Sequence, residues 1–125
     1  MRANLKMMTV LDKASLREIP EQEFQGAVES WAKDRDYLTY SIRRSAYQTK
    51  SGKWRGVADP GFPDIVFARR GDLFVAELKS ETGTPSKLQR VWQAAFLAAG
   101  KDAYLWRPRD AAAIIARLER NGDGV

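Results

Sequence analysis

Apolar positions recur along this chain with two periods, and the changes from one period to the other mark out its elements. After Pro20 comes EQEFQGAVESWAKDR, in which Phe24, Val28, Trp31 and Ala32 return at helical spacing. Proline is pre-set for a helix start and acids suit the positive end of the helix dipole, so a first helix is predicted here. From Asp36 to Arg43 the period falls to two, with Leu38, Tyr40 and Ile42 on one face as in a half-buried strand. The Ser-Gly pair inside TKSGKW can turn a small hairpin. Beyond Pro60, Gly61 and Pro63, the run DIVFARRGDLFVAELK holds two β-rich stretches that meet at Arg70-Gly71, a second and stronger hairpin signal. A helix follows. Thr84 can cap it, Pro85 suits its first position, Leu88, Trp92, Ala95, Phe96 and Ala99 form its apolar stripe, and Gly100 can end it. Asp102 to Arg107 reads as another strand, and Arg109 to Arg120, with Ala113, Ile114, Ile115 and Leu118, as a closing helix. Residues 1–19 lack a clean period and are expected to form a loose arm or short helix, and residues 121–125 a fraying tail.

This order, α-β-β-β-α-β-α, predicts an α/β domain. Each amphipathic helix must bury its stripe against a mixed sheet of about four strands. With 125 residues, 44% of them hydrophobic, the chain supports one core, spanning residues 20–120. It contains no apolar stretch long enough for a membrane span and no secretory signal, so it reads as soluble and intracellular.

Two absences narrow the chemistry. Cysteine and histidine are both missing, which excludes disulfides, thiolate nucleophiles, the usual zinc sites and the commonest general base. Asp, Glu, Lys, Ser, Tyr or a hard metal ion must do any work. The charge distribution points the same way. The net charge of +5 lies wholly between Ser41 and Ala58, where Arg43, Arg44, Lys50, Lys53 and Arg55 meet no acid and are interleaved with Tyr47 and Trp54. Such a patch is a footprint for a phosphate backbone, although a solvated loop gives the same composition.

The second hairpin carries the candidate chemistry. Strand alternation sends Phe74, Ala76 and Leu78 to one face and Val75, Glu77 and Lys79 to the other. If Arg70-Gly71 is a two-residue turn, Arg69 meets Asp72, Phe67 meets Phe74, and Asp64 stands opposite Glu77. If the turn is Gly71-Asp72, Asp64 faces Lys79 with Glu77 on the diagonal. Both registers place Asp64, Glu77 and Lys79 on one face. Opposed residues have Cβ atoms ~5 Å apart, where two carboxylates repel by roughly 3 kcal/mol at an effective dielectric constant near 20. That pair needs a cation. Without His or Cys, oxygen ligands favour Mg²⁺ or Mn²⁺ over Zn²⁺. The arrangement suits phosphodiester hydrolysis, with Lys79 orienting a water or neutralising developing charge. An exposed Glu77–Lys79 ion pair alone would be worth only ~0–1 kcal/mol and would need no function.

Gly61-Phe62-Pro63-Asp64, Glu77-Leu78-Lys79, Ser86, Gln89, Gly100 and Tyr104-Leu105-Trp106-Arg107-Pro108 together resemble the VRR-NUC family of the PD-(D/E)XK nuclease superfamily, which also includes Holliday junction resolvases. The resemblance spans roughly residues 20–109. It implies a restriction-endonuclease-like fold and a metal-dependent nuclease. Asp64 and Glu77 would be metal ligands joined by the Leu78 carbonyl, Lys79 would be catalytic, and Gln89 would lie near the active site. Glu21, with Glu23 as the alternative, would be the acid on the first helix that holds a second metal or its water; a first-turn acid that only steadies the helix dipole would look the same. The resemblance also implies a DNA substrate, whether branched, flapped or a four-way junction, and for a junction a homodimer, since two symmetric cuts need two sites. The segment around 45–60 departs from the family pattern as a basic, aromatic insertion. Arg43, Arg44, Ser45, Tyr47, Lys50, Lys53, Trp54, Arg55 and Lys87 are the expected nucleic-acid contacts. The rival expectations are a DNA-binding module that does not cut and an adaptor for an acidic partner.

Overall fold

The structure, a computed structural model, describes residues 12–41, 47–48, 50–52, 54–55 and 60–120. Asp12 opens the described chain as a cap. Its carboxylate accepts from the Ser15 N–H at 2.9 Å and starts α1 (Lys13–Arg17), from which Leu16, with Ile19 just beyond, is buried in the core. Pro20 is the N-cap of α2 (Glu21–Lys33), one position earlier than the first-turn placement its ring prefers. Phe24, Val28, Trp31 and Ala32 are all buried, as their spacing predicts.

Six strands follow among the described residues: β1 (Leu38–Ser41), β2 (Tyr47–Gln48), β3 (Trp54–Arg55), β4 (Ile65–Arg69), β5 (Asp72–Leu78) and β6 (Asp102–Trp106). Strands β2 and β3 pair antiparallel as a separate small hairpin around the expected Ser-Gly turn, where Gly52 has φ +88°. The others form a four-stranded sheet in the order β1-β4-β5-β6. The first three strands are antiparallel neighbours and β6 runs parallel to β5, so the sheet is mixed. Helix α3 (Lys87–Ala98) makes the crossover between β5 and β6, and α4 (Ala111–Glu119) closes the chain after a 3-10 turn at Pro108–Asp110. With helices flanking the sheet, this is the α/β architecture with a mixed four-stranded sheet that the element order predicts. Among the described residues, no helix is long and apolar enough to cross a membrane.

One face of the sheet carries Ile65, Phe67, Phe74, Ala76 and Leu78 into a core shared with α2 and α4. Phe67 and Phe74, opposed across β4 and β5, stack at 4.5 Å. The register fixes what β1 can bury. Thr39 pairs with Phe67 and Ser41 with Ile65, so the odd-numbered residues share the core face. Leu38 and Tyr40 therefore point outward and are 77% and 48% exposed, which overturns the expectation that they form the buried face. Period-2 alternation identifies two faces but not which one is covered, and β1 is an edge strand away from α3. Ile42 lies outside the described residues.

Two helix details also differ from expectation. Helix α3 is capped by Ser86, not Thr84, and Pro85 precedes the helix. Ser86 and Gln89 form a reciprocal capping box, satisfying two backbone N–H groups that Thr84 could not reach together. The α3 stripe is only half covered. Trp92 and Phe96 pack against Phe62 at 4.9 and 5.9 Å, whereas Leu88 is 50% exposed and no α3 residue is fully buried. In α4 the buried positions are Ala111, Ile114, Arg117 and Leu118, and Ala113 is exposed, because the 3-10 turn sets the start of the helix two residues after Arg109.

The buried Arg117 ties the turn end of the sheet together. Its guanidinium donates to both oxygens of Asp72 at 2.8 Å, to Asp102 at 3.1 Å and to the Tyr104 hydroxyl at 2.8 Å, and lies 3.9 Å over the Phe74 ring. The Tyr37 hydroxyl donates to the same Asp72 at 2.7 Å, and the Arg117 guanidinium holds the Asp72 carboxyl down at about 2. Arg117→Ala leaves Asp72 without its main partner in a half-buried setting. Thermal unfolding should show a loss of about 3 kcal/mol, the low end for breaking a buried pair.

Candidate active site

The candidate site lies at the opposite end of β5 from Arg117. Its geometry begins at the hairpin turn, where Arg70 and Gly71 both have positive φ, 47° and 84°, as a two-residue type I′ turn requires. The turn selects one of the two possible registers: Arg69 meets Asp72, Phe67 meets Phe74 and Ile65 meets Ala76. One residue further along, Asp64 comes opposite Glu77. Both carboxylates are buried, at 8% and 6% exposure.

Each acid is held by its own neighbour. An Asp64 oxygen accepts the Leu78 backbone N–H at 2.7 Å, where the β4–β5 ladder has ended. Glu77 Oε2 accepts the Gln89 side-chain amide and lies 3.6 Å from Lys79 Nζ. Gln89 thus does two jobs: its Oε1 accepts from the Ser86 N–H at 2.7 Å, and its Nε2 donates to Glu77. The capping box locks the amide that steadies the glutamate. Lys79, with its side chain only 15% exposed, stands beside Glu77.

The bend before Asp64 explains why α3 can reach the strand. Gly61 has φ +90°, and a Cβ there would stand 2.6 Å from Leu88 Cβ and 2.7 Å from its carbonyl carbon. Only glycine admits the first turn of α3 this close, and Phe62 then anchors the bend on Trp92 and Phe96. Gly61→Ala should cost about 1–3 kcal/mol in urea unfolding and push Gln89 away from Glu77. A urea curve unchanged from that of the parent would show that the contact is not needed.

Burial pushes the Glu77 carboxyl up to about 8, and the charges of Asp64 and Glu21 push the same way, against the pull of Lys79. Glu77 Oε1 is buried and has no hydrogen-bond partner among the described residues. An orphaned carboxylate oxygen beside a second carboxylate fits a cation, and an all-oxygen donor set fits a hard one. Among the described residues, no group of three or more Asp, Glu, His or Cys side chains is gathered for a metal. Asp64, and Glu21 in the first turn of α2 beside Glu23, both impose their charge on Glu77.

The other expected contacts divide in two. Lys87 begins α3 and is exposed, and Lys50 is exposed in the turn of the small hairpin. Tyr47, Trp54 and Arg55 lie on the β2–β3 backbone, while Arg43, Arg44, Ser45 and Lys53 fall outside the described residues. Sequence reasoning missed the cap at Ser86 and the close approach at Gly61. The first was legible as a Ser-x-x-Gln pattern; the second required knowing that the bend and α3 touch.

No family model and no curated protein matches this chain. A solved structure described as a VRR_NUC domain is similar to it, at 20% identity and a TM-score of 0.49 over 77% of this chain and 95% of that one.

Proposed function

We propose that this protein is a metal-dependent nuclease that hydrolyses phosphodiester bonds in DNA, with Asp64, Glu77 and Lys79 as its catalytic centre. The observation that carries the reading is the burial of Asp64 and Glu77 together, with one glutamate oxygen that has no partner among the described residues and a lysine 3.6 Å from the other. Two apposed acids weaken an apo fold, so their presence in a dry site calls for a ligand that uses them.

Mg²⁺ or Mn²⁺ held by Asp64, Glu77 and the Leu78 carbonyl would polarise a phosphate oxygen and acidify a water. The chain's own residues do the rest. Gln89 and the Leu78 N–H keep the two carboxylates aimed, Lys79 neutralises charge that builds on the phosphorus or orients the attacking water, and Glu21 adds negative charge from α2. The basic segment from Arg43 to Arg55, with Lys87 at the head of α3, is the surface proposed to hold the DNA backbone.

The finer reading is an endonuclease that prefers branched, flapped or four-way DNA and acts as a homodimer. The outward Leu88, Val91 and Leu97 of α3, each at least 50% exposed, support a protein contact on that helix. The test is incubation of plasmid, flap and four-way substrates with Mg²⁺ or Mn²⁺. Cutting that stops on chelation supports the proposal, and tight binding without cutting shows a DNA-binding module. Changing Lys50, Lys53 and Arg55 together to Ala should reduce the slope of log affinity against log salt by about 2–3; an unchanged slope would show that the hairpin does not touch DNA.

A further inference from the structure

Lys79 leaves the sheet at the end of β5, where nothing in strand geometry fixes a long side chain, yet it is almost covered. Its backbone N–H donates to the Trp106 carbonyl at 3.0 Å, which ties its Cα to the end of β6. The chain then turns back on itself. The Gly83 N–H donates to the Ser80 carbonyl at 3.3 Å and to its hydroxyl at 3.1 Å, closing a tight turn over residues 80–83. A Cβ built on Gly83 would lie 3.4 Å from Lys79 Cδ and 3.5 Å from Lys79 Cβ, so this turn is the wall against which the lysine stem lies.

Arg107, the residue after Trp106, holds that wall from the other side. A single guanidinium nitrogen, Nη1, donates to the Ser80 carbonyl at 2.9 Å and to the Gly83 carbonyl at 2.6 Å, so its two hydrogens bridge both ends of the turn. Neither acceptor is an acid, which makes this a geometric clamp and not an ion pair. The turn is tied down again at Glu81, which accepts from the Arg109 N–H at 2.8 Å and from its guanidinium at 3.2 Å. The Arg107 main chain is anchored separately, its N–H donating to Asp110 at 2.8 Å, so the side chain is free to act on the turn alone.

We infer that Arg107 is a positioning residue that sets where the Lys79 ammonium stands, by fixing the turn against which the lysine stem rests. This rests on the nuclease reading for its consequence in catalysis, but not for the placement of Lys79.

Two readouts on the full-length protein test it. The first needs no activity: lysines are reductively ¹³C-methylated and the Lys79 signal is assigned by its absence in Lys79→Arg. The parent should show that signal apart from the exposed-lysine envelope, and Arg107→Met should move it into the envelope. Arg107→Lys, which reaches one carbonyl or the other, should give an intermediate position and carries the test if Arg107→Met does not fold. The second readout is single-turnover cleavage, which should fall about 10–100-fold in Arg107→Met while the DNA Kd stays within about twofold, with partial rescue in Arg107→Lys. A Lys79 signal unmoved in a folded Arg107 variant overturns the inference, as does a loss carried by DNA affinity instead of rate. If the parent cuts no substrate, the nuclease reading falls and the lysine signal alone decides the role of Arg107.

Discussion

Asp64→Asn and Lys79→Ala should each lower metal-supported DNA cleavage by about three orders of magnitude, while circular dichroism and DNA affinity stay near those of the parent protein. The two variants remove different things. Asp64→Asn keeps an oxygen able to accept the Leu78 N–H that the aspartate holds at 2.7 Å, so the strand end stays tied, and only the negative charge is lost. Lys79→Ala removes a cation 3.6 Å from Glu77 without disturbing the backbone bond to Trp106. A preorganised charge aimed at a transition state is worth ~3–4 kcal/mol in a dry site, far more than the ~0–1 kcal/mol of an exposed ion pair. Loss in both variants separates an active centre from a surface pair. Retention of most of the activity in either would remove that residue from the chemistry.

The second large effect concerns stability and has the opposite sign. The Glu77 carboxyl sits at about 8, above its ordinary 4.5, chiefly because it is buried and also because it faces Asp64. Between those values the folded protein binds a proton that the unfolded chain has released. The proton's contribution is whole below about pH 4.5, shrinks as pH rises through about 8, and is gone above it. Glu77→Gln removes the penalty of an ionised, buried glutamate. The variant should match the parent near pH 4.5 and exceed it at pH 9 by on the order of 3–5 kcal/mol, or roughly 15 °C in Tm, while losing metal-supported cleavage. Mn²⁺ should raise the parent's Tm at pH 8–9 and leave the variant unmoved. A variant less stable than the parent at pH 9 would mean that the glutamate is a structural partner and not a strained functional group.

Much of this site was legible along the chain, because hairpins obey local rules. Arg70-Gly71 and Gly71-Asp72 are both open as the turn on sequence grounds, each bringing Asp64 toward the end of β5, and the chain turns at Arg70-Gly71. What sequence periodicity could not supply was the environment of each face. Leu38 and Tyr40 alternate as a buried strand would, and yet β1 is an edge whose polar Thr39 and Ser41 face the core. The start of α3 departs from the local pattern for a similar reason: Thr84 and Pro85 satisfy the capping rule, but Gln89 must both cap the helix and meet Glu77, and only Ser86 as cap does both. Gly61 and Arg107 stand inside the motifs that carry the resemblance, but their roles could not be read there, since they come from contacts made 24 to 28 residues away.

Anomalous scattering from crystals grown with Mn²⁺ addresses the pairing of Asp64 and Glu77 around a cation more directly than any rate. A Mn²⁺ peak is expected within about 2.0–2.5 Å of one carboxylate oxygen from Asp64 and one from Glu77. No peak at saturating Mn²⁺, or a peak bound by other residues while these two acids remain bare, would contradict it.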